Sequence, residues 1–429
     1  MNWVAIAGAI LFLVGVLVSV ALHEVGHMLP AKAFGVKVTQ FMVGFGKTIW
    51  STKRGDTEYG IKIFPLGGFV RLIGMFPPAK DGTIRKSSTG PFQSLAEQAR
   101  EAEAEDIGPE DRDRLFYSRK WWQKLIVMAG GPMVNVVLAT LAFSIVMVGF
   151  GTNEATRTVA GVPDCVIEQP SDRTVCNDSD PISPARQAGL REGDTVVAFE
   201  GAPVSSWDQL SDRIRDAGAG PVQLTVERGG EELELTANLL ATERPKLSNP
   251  NEYEEVGYLG IESKQVHVHH SPLAVVPQMG EYVGQTVQAM ARIPEKMVGV
   301  VRAAVGGERE LDSPMSVLGA SRVAGDIASQ HEIPVSDRVA MFVTWLGAVN
   351  LFLALFNFIP LLPLDGGHMA GALWEAIRRA FARMFGKPDP GYVDVAKMLP
   401  LTYAVASVLL VMGVILIYTD IVNPIRLPL

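Results

Sequence analysis

The chain has 429 residues, 48% of them hydrophobic, with 38 Lys plus Arg against 46 Asp plus Glu and a formal net charge of −8. An acidic balance excludes a general polyanion-binding role, nucleic acid included. A mean hydropathy of +0.20 is high for a water-soluble protein and low for one wholly immersed in lipid, so the chain reads as part membrane and part aqueous.

Four stretches, 3–22, 125–150, 339–364 and 398–419, contain no Asp, Glu, Lys or Arg. Each approaches or exceeds the roughly 20 residues that cross a hydrocarbon core. The first is read as a span rather than a removed leader, because no Lys or Arg precedes it and no small-x-small cleavage site follows. Directly after it come His23-Glu24-Val25-Gly26-His27. On a helix, positions i and i+4 share a face, so His23 and His27 can offer imidazoles to one ion, with Glu24 angled to take a proton from water. The alternative is a pair of interface histidines with a snorkelling glutamate, but ionisable groups at a membrane span are costly and usually functional.

Between the first two spans, residues 31–124 carry sixteen Lys plus Arg against eleven Asp plus Glu, whereas residues 151–270 carry ten against twenty-one. Lys32, Lys37, Arg119, Lys120 and Lys124 flank the spans, which places the 31–124 loop in the cytoplasm and the 151–336 region outside. Strands are expected over 48–52 and 57–64, around Lys53-Arg54-Gly55-Asp56, with a bend at Gly67 and Gly68. Residues 79–118, rich in both charges, are expected to form a helical or mobile loop without chemistry of its own. The paired Trp121 and Trp122 beside basic residues suit an interfacial anchor for the second span.

Residues 151–245 are soluble in character and hold both cysteines, Cys165 and Cys176. In an oxidising compartment these form one disulfide; two free thiols are the alternative. Residues 246–336 read as an amphipathic linker, helical in its later part and broken at Pro294. The third span ends in "NFIPLLPLDGGH", residues 357–368. Spans one and three run in the same direction, so Asp365 arrives on the side of His23 and His27 and is a candidate for the third ligand that a catalytic zinc requires. His368 is a weaker competitor for that place. His267, His269 and His270 form a second possible metal tract, but they fall across the membrane and read as a solvated loop. Asn357 is either a group that bonds a substrate carbonyl or a helix-packing amide. Residues 369–397 form a second cytoplasmic loop, 398–420 the fourth span and 421–429 a tail.

Together "HEVGH" (23–27) and "NFIPLLPLDGG" (357–367) resemble the site-2 protease family, the M50B-like intramembrane zinc metalloproteases. The likeness runs through nearly the whole chain. Residues 44–75 look like the family's membrane-entering β-hairpin, "AGGPMVN" (129–135) its second-span motif, and "NPIRL" (423–427) its tail in actinobacterial members, the regulator-releasing proteases with one PDZ insert. Part of the acidic region, "SPARQAGLREGDTVVAFEGAPVSSWDQL", resembles a bacterial protease PDZ domain.

The resemblance implies a polytopic α-helical membrane protein of about four transmembrane helices, with a β-hairpin and an inserted α+β PDZ domain. It implies one Zn2+ per chain on His23, His27 and Asp365, Glu24 as general base, and Asn357, Asn135, Gly67 and Gly68 as substrate contacts. The implied substrates are single-span regulators such as anti-sigma factors, first shortened outside by a site-1-type protease. A membrane metal transporter and an inactive PDZ-bearing scaffold are the alternatives.

Overall fold

The computed structural model describes residues 3–77, 107–168, 173, 175–246 and 249–425. Most of the charged 79–118 loop lies outside them. The described residues form two compact units, 1–150 with 271–429, and 151–270.

The first unit is helical. Helix α1, Trp3–Ala33, meets its first charged residue only at Glu24. Helix α2, Trp121–Ser144, follows Lys120 and continues as a π-type turn through Phe150. Among the described residues four helices are long and apolar enough to cross a membrane: Trp3–Ala33, Trp121–Phe150, Val335–Asn357 and Val395–Val422.

Between α1 and α2 lie β1, Val38–Arg54, and β2, Thr57–Leu72. Both are longer than the 48–52 and 57–64 strands expected from sequence. Residues 40–43 of β1 meet both 58–61 and 68–71 of β2. The chain doubles back around Gly67, and among the described residues 68–72 pair with β1 along one side. Met28 and Ala31 of α1, Val38 and Leu72 of the hairpin, and Val127 and Met128 of α2 bury one another, which fixes the hairpin against the end of α1 that carries the histidines.

Five helices of this unit follow the second unit in the chain. Helix α5, Val275–Ala304, runs unbroken through Pro294, contrary to the expected break. Proline removes one hydrogen bond, and the turns on either side suffice to continue the helix. Helix α6, Val317–Ser329, packs Ala320 and Ala324 on Phe12 and Val16 of α1. Helix α7, Val335–Asn357, stops at Asn357, and a new helix α8, Asp365–Met384, starts at Asp365. The interruption falls at Pro360 and Pro363, as the sequence implies for this end of the third span, whereas most of the 369–397 loop expected after it is helix. Helix α9 is Leu399–Val422.

The second unit, labelled in chain order, contains β3 (Thr152–Gly161), α3 (Pro184–Gln187), β4 (Thr195–Phe199), β5 (Ala202–Pro203), α4 (Trp207–Ala217), β6 (Gly220–Arg228), β7 (Glu231–Lys246), β8 (Asn249–Tyr258) and β9 (Glu262–Val268). The sheet order is β8-β7-β6-β4-β3-β9, with β5 on β4 and every pairing antiparallel. Residues 249–268 had been assigned to a linker. They are strands, whose polar composition hides the alternation that a half-buried strand normally shows.

Leu190, Val196, Leu210, Leu224, Val226 and Leu239 fill this unit's core. Burial alone would raise the Asp194 carboxyl, but the Arg228 guanidinium and the Arg191 amide hold it below the ordinary carboxylate range. Cys165 and Cys176 are joined in a disulfide.

Candidate metal centre

His23 and His27 sit one turn apart on α1, both buried. At 1.5 Å of rise per residue they lie about 15 and 9 Å from the end of that helix, just past its charge-free stretch 3–22. Their Nε2 atoms are 3.2 Å apart, and Asp365 Oδ2 lies 3.2 Å from His23 Nε2 and 3.3 Å from His27 Nε2. Among the described residues these three form the only group of His, Cys, Asp or Glu donors close enough to share an ion. A tetrahedral zinc with ligands at about 2.0–2.1 Å keeps its donors roughly 3.3–3.4 Å apart. The observed triangle therefore has the size of one face of such a site, and a fourth position stays open.

The donors are oriented by their neighbours. His27 Nδ1 lies 2.8 Å from the Val127 carbonyl of α2. A carbonyl only accepts, so Nδ1 carries the proton and the Nε2 lone pair is left facing His23 and Asp365, where it could serve a metal ion. Asp365 opens α8, where a negative charge suits the helix N-terminus.

Helix α8 is held to α2 by Lys124 and Glu375, buried and 2.7 Å apart. Arg379 stands 2.9 Å from the same carboxylate. This pair fixes the helix that delivers Asp365.

Glu24 faces the same cavity, about 510 Å³ in volume, which is also lined by Gly67, Gly68, Asn135, Asn357 and His368. The Val70 amide, on the one-sided edge of β2, bonds the Glu24 carboxylate. A Cβ at Gly68 would stand 3.1 Å from Glu24 Cγ, so this strand lies directly against the glutamate. Asn135 is buried, and its Oδ1 has no partner within the described protein; the same holds for His23 Nδ1. Asn357 donates Nδ2 to the Leu353 carbonyl of its own helix while bordering the cavity. His368 borders it too, outside the three-donor group. His267, His269 and His270 fall in the second unit. There His267 meets Asn153, and His270 meets Thr152 and Glu154.

A profile of peptidase family M50 matches residues 11–388. The chain belongs to peptidase family M50. Zinc metalloprotease Rip1 of Mycobacterium tuberculosis (strain ATCC 25618 / H37Rv) is 35% identical over 98% of this chain and 99% of its own length. Rip1 of Mycolicibacterium smegmatis is 31% identical over 98% of each, and Metalloprotease MmpA of Caulobacter vibrioides 26% over 86% of each. This M50 protein is accordingly a zinc metalloprotease with Zn2+ as its cofactor.

Several residues around the centre were not singled out from sequence. Asn350 donates to Ser19 Oγ at 3.1 Å and so ties α7 to α1. Its position seven residues before Asn357, on the same helix face, was a usable signal. Gly131 lay inside the recognised "AGGPMVN" stretch without a role. A Cβ there would overlap His27 Nε2 and stand 2.6 Å from His23 Nε2. Relief by backbone movement is blocked, because the neighbouring Gly130 already abuts the Gly26 backbone of α1.

Gly131→Ala is therefore expected to weaken zinc retention about tenfold or more, as overpacking of 1–3 kcal/mol would, measured by competition with a chromogenic chelator. Gly149→Ala, with open space around it, serves as control. Equal retention by the Gly131 variant would remove that residue from the site.

Proposed function

We propose that this M50 protease cleaves single-span membrane proteins within their transmembrane segments. The observation that carries this reading is the joining of a zinc-sized donor triangle, Glu24 and the one-sided strand 68–72 in one cavity among apolar helices. His23, His27 and Asp365 hold the metal. Zinc bound there polarises a carbonyl and makes water a nucleophile near neutral pH.

Glu24 takes the proton from the attacking water and returns it to the departing amide nitrogen. A substrate helix hides its amides in internal bonds, so its scissile segment must unwind. The outer edge of β2 beyond Gly67 then pairs with the exposed backbone. Asn357 and Asn135 hold the carbonyl groups on either side.

The substrates are single-span regulators such as anti-sigma factors, already shortened by a site-1-type protease. The 151–270 unit is a PDZ domain outside the membrane that sorts them by peptide end or by size, and the centre opens towards the cytoplasm. The Lys and Arg bias near the first two spans supports that orientation, and the Cys165–Cys176 disulfide fits an oxidising side.

The test is cleavage of a fluorescently tagged single-span substrate by the purified protein in proteoliposomes, with the cut mapped by mass spectrometry. A cut inside the transmembrane segment, lost with a zinc chelator and restored by zinc, is expected. Cuts confined to soluble flanks would refute the reading. Zinc flux without cleavage in the same vesicles would favour a transporter.

A further inference from the structure

A second cavity, about 600 Å³, lies between the start of α2 and the C-terminal half of α8. Lys120, Trp121, Trp122, Ile377, Arg379 and Arg383 border it. None of the catalytic residues does. We propose that this groove binds the phosphate of an anionic phospholipid, with the acyl chains lying along its tryptophan and isoleucine wall.

The cations are uncommitted where the groove needs them. Lys120 and Arg383 are exposed, and among the described residues neither side chain has an ion-pair partner. Arg379 commits Nη1 to Glu375 and Nε to Asp389, leaving Nη2 without a partner there. Glu375 is compensated by the buried Lys124, and among the described residues no carboxylate lines the groove itself, Asp389 meeting it only through Arg379. Its positive excess suits a phosphodiester, which a guanidinium and an ammonium can grip from two helices at once.

The surroundings distinguish a lipid from a free anion. Trp121 and Trp122 stand at the start of an apolar span, 37% and 40% exposed, where aromatic rings mark a headgroup boundary. On α8 the outward residues Trp374, Ile377, Phe381 and Met384 are exposed while Ala372, Glu375 and Ala382 are buried. That spacing draws one apolar stripe along a helix with a charged opposite side, the pattern of a helix lying in the membrane interface. The groove joins this stripe at Ile377. Basic pockets between helices at such a level take lipid headgroups, whereas a small anion would make no use of the stripe.

Occupancy bridges α2 and α8, the two helices already joined by Lys124 and Glu375, and so braces the element that presents Asp365. The inference rests on the membrane reading of the four apolar helices. It does not depend on substrate class.

The test uses the full chain, delipidated in detergent and titrated with phosphatidylglycerol or with phosphatidylcholine of the same acyl chains, with bound lipid counted by native mass spectrometry. Phosphatidylglycerol should be retained in preference. Lys120→Gln with Arg383→Gln should weaken that retention roughly thirty-fold, since each cation near a lipid surface contributes about fivefold. Lys53→Gln with Arg54→Gln, on the exposed hairpin turn, should leave it unchanged. Equal retention of the two lipids, an undiminished groove variant, or an equal loss in the hairpin variant would overturn the proposal. Displacement of phosphatidylglycerol by inorganic phosphate at matched concentration would also overturn it, showing an ion site rather than a lipid site.

Discussion

Glu24→Gln is expected to lower proteolysis by about 10²–10⁴-fold, the range that a positioned general base contributes, while zinc content and thermal unfolding stay at wild-type values. The substitution isolates one property. Glutamine has the same shape, its amide oxygen can still accept from the Val70 N–H, and the three zinc-sized donors lie on other side chains. What is lost is the capacity to take a proton. Zinc by metal analysis and turnover of a tagged single-span substrate, measured on one preparation, separate the possibilities. Retained turnover would remove Glu24 as the base. A loss of zinc would make the residue part of the metal's support.

The chemistry-bearing residues were legible because each stands out against apolar surroundings. His23, Glu24 and His27 interrupt a stretch without charge, and the i, i+4 spacing puts both imidazoles on one face by helix geometry alone. Asp365 was legible for a different reason. Direction of travel through two spans brings it to the same end, with no contact needing to be guessed.

The supports were not legible. Lys124 and Glu375 lie 251 positions apart, and a lone Lys beside two tryptophans reads as an interfacial anchor until its partner is seen. Gly131 has no side chain to signal a role; its importance appears only when α1 and α2 meet at Gly26 and Gly130. The doubling of β2 was hidden as well, since residues 65–72, with a proline and two glycines, lack the alternation of a paired strand. Helix α8 was missed because its apolar stripe is interleaved with Arg378, Arg379 and Arg383, which a charge-based reading assigns to a loop.

Asp365→Ala is expected to leave less than one zinc per chain after dialysis, with affinity reduced by more than about 100-fold. Removal of an outer-shell partner alone is worth 10–100-fold, and an inner ligand should exceed it. The remaining His23 and His27 keep the 3.2 Å edge but lose the third corner and its negative charge. Asp365 is also the first residue of α8, so Asp365→Asn serves as a second variant that preserves a polar group at the helix start. If both variants lose zinc while the buried Lys124–Glu375 pair keeps α8 in place, measured by hydrogen exchange over residues 366–384, the loss belongs to the ligand and not to the helix. His368 supplies the sharpest alternative, since it borders the same cavity three residues further along α8. Full zinc in Asp365→Ala that disappears only when His368→Ala is added would transfer the third ligand to the histidine. Full zinc in both would remove Asp365 and His368 alike as ligands.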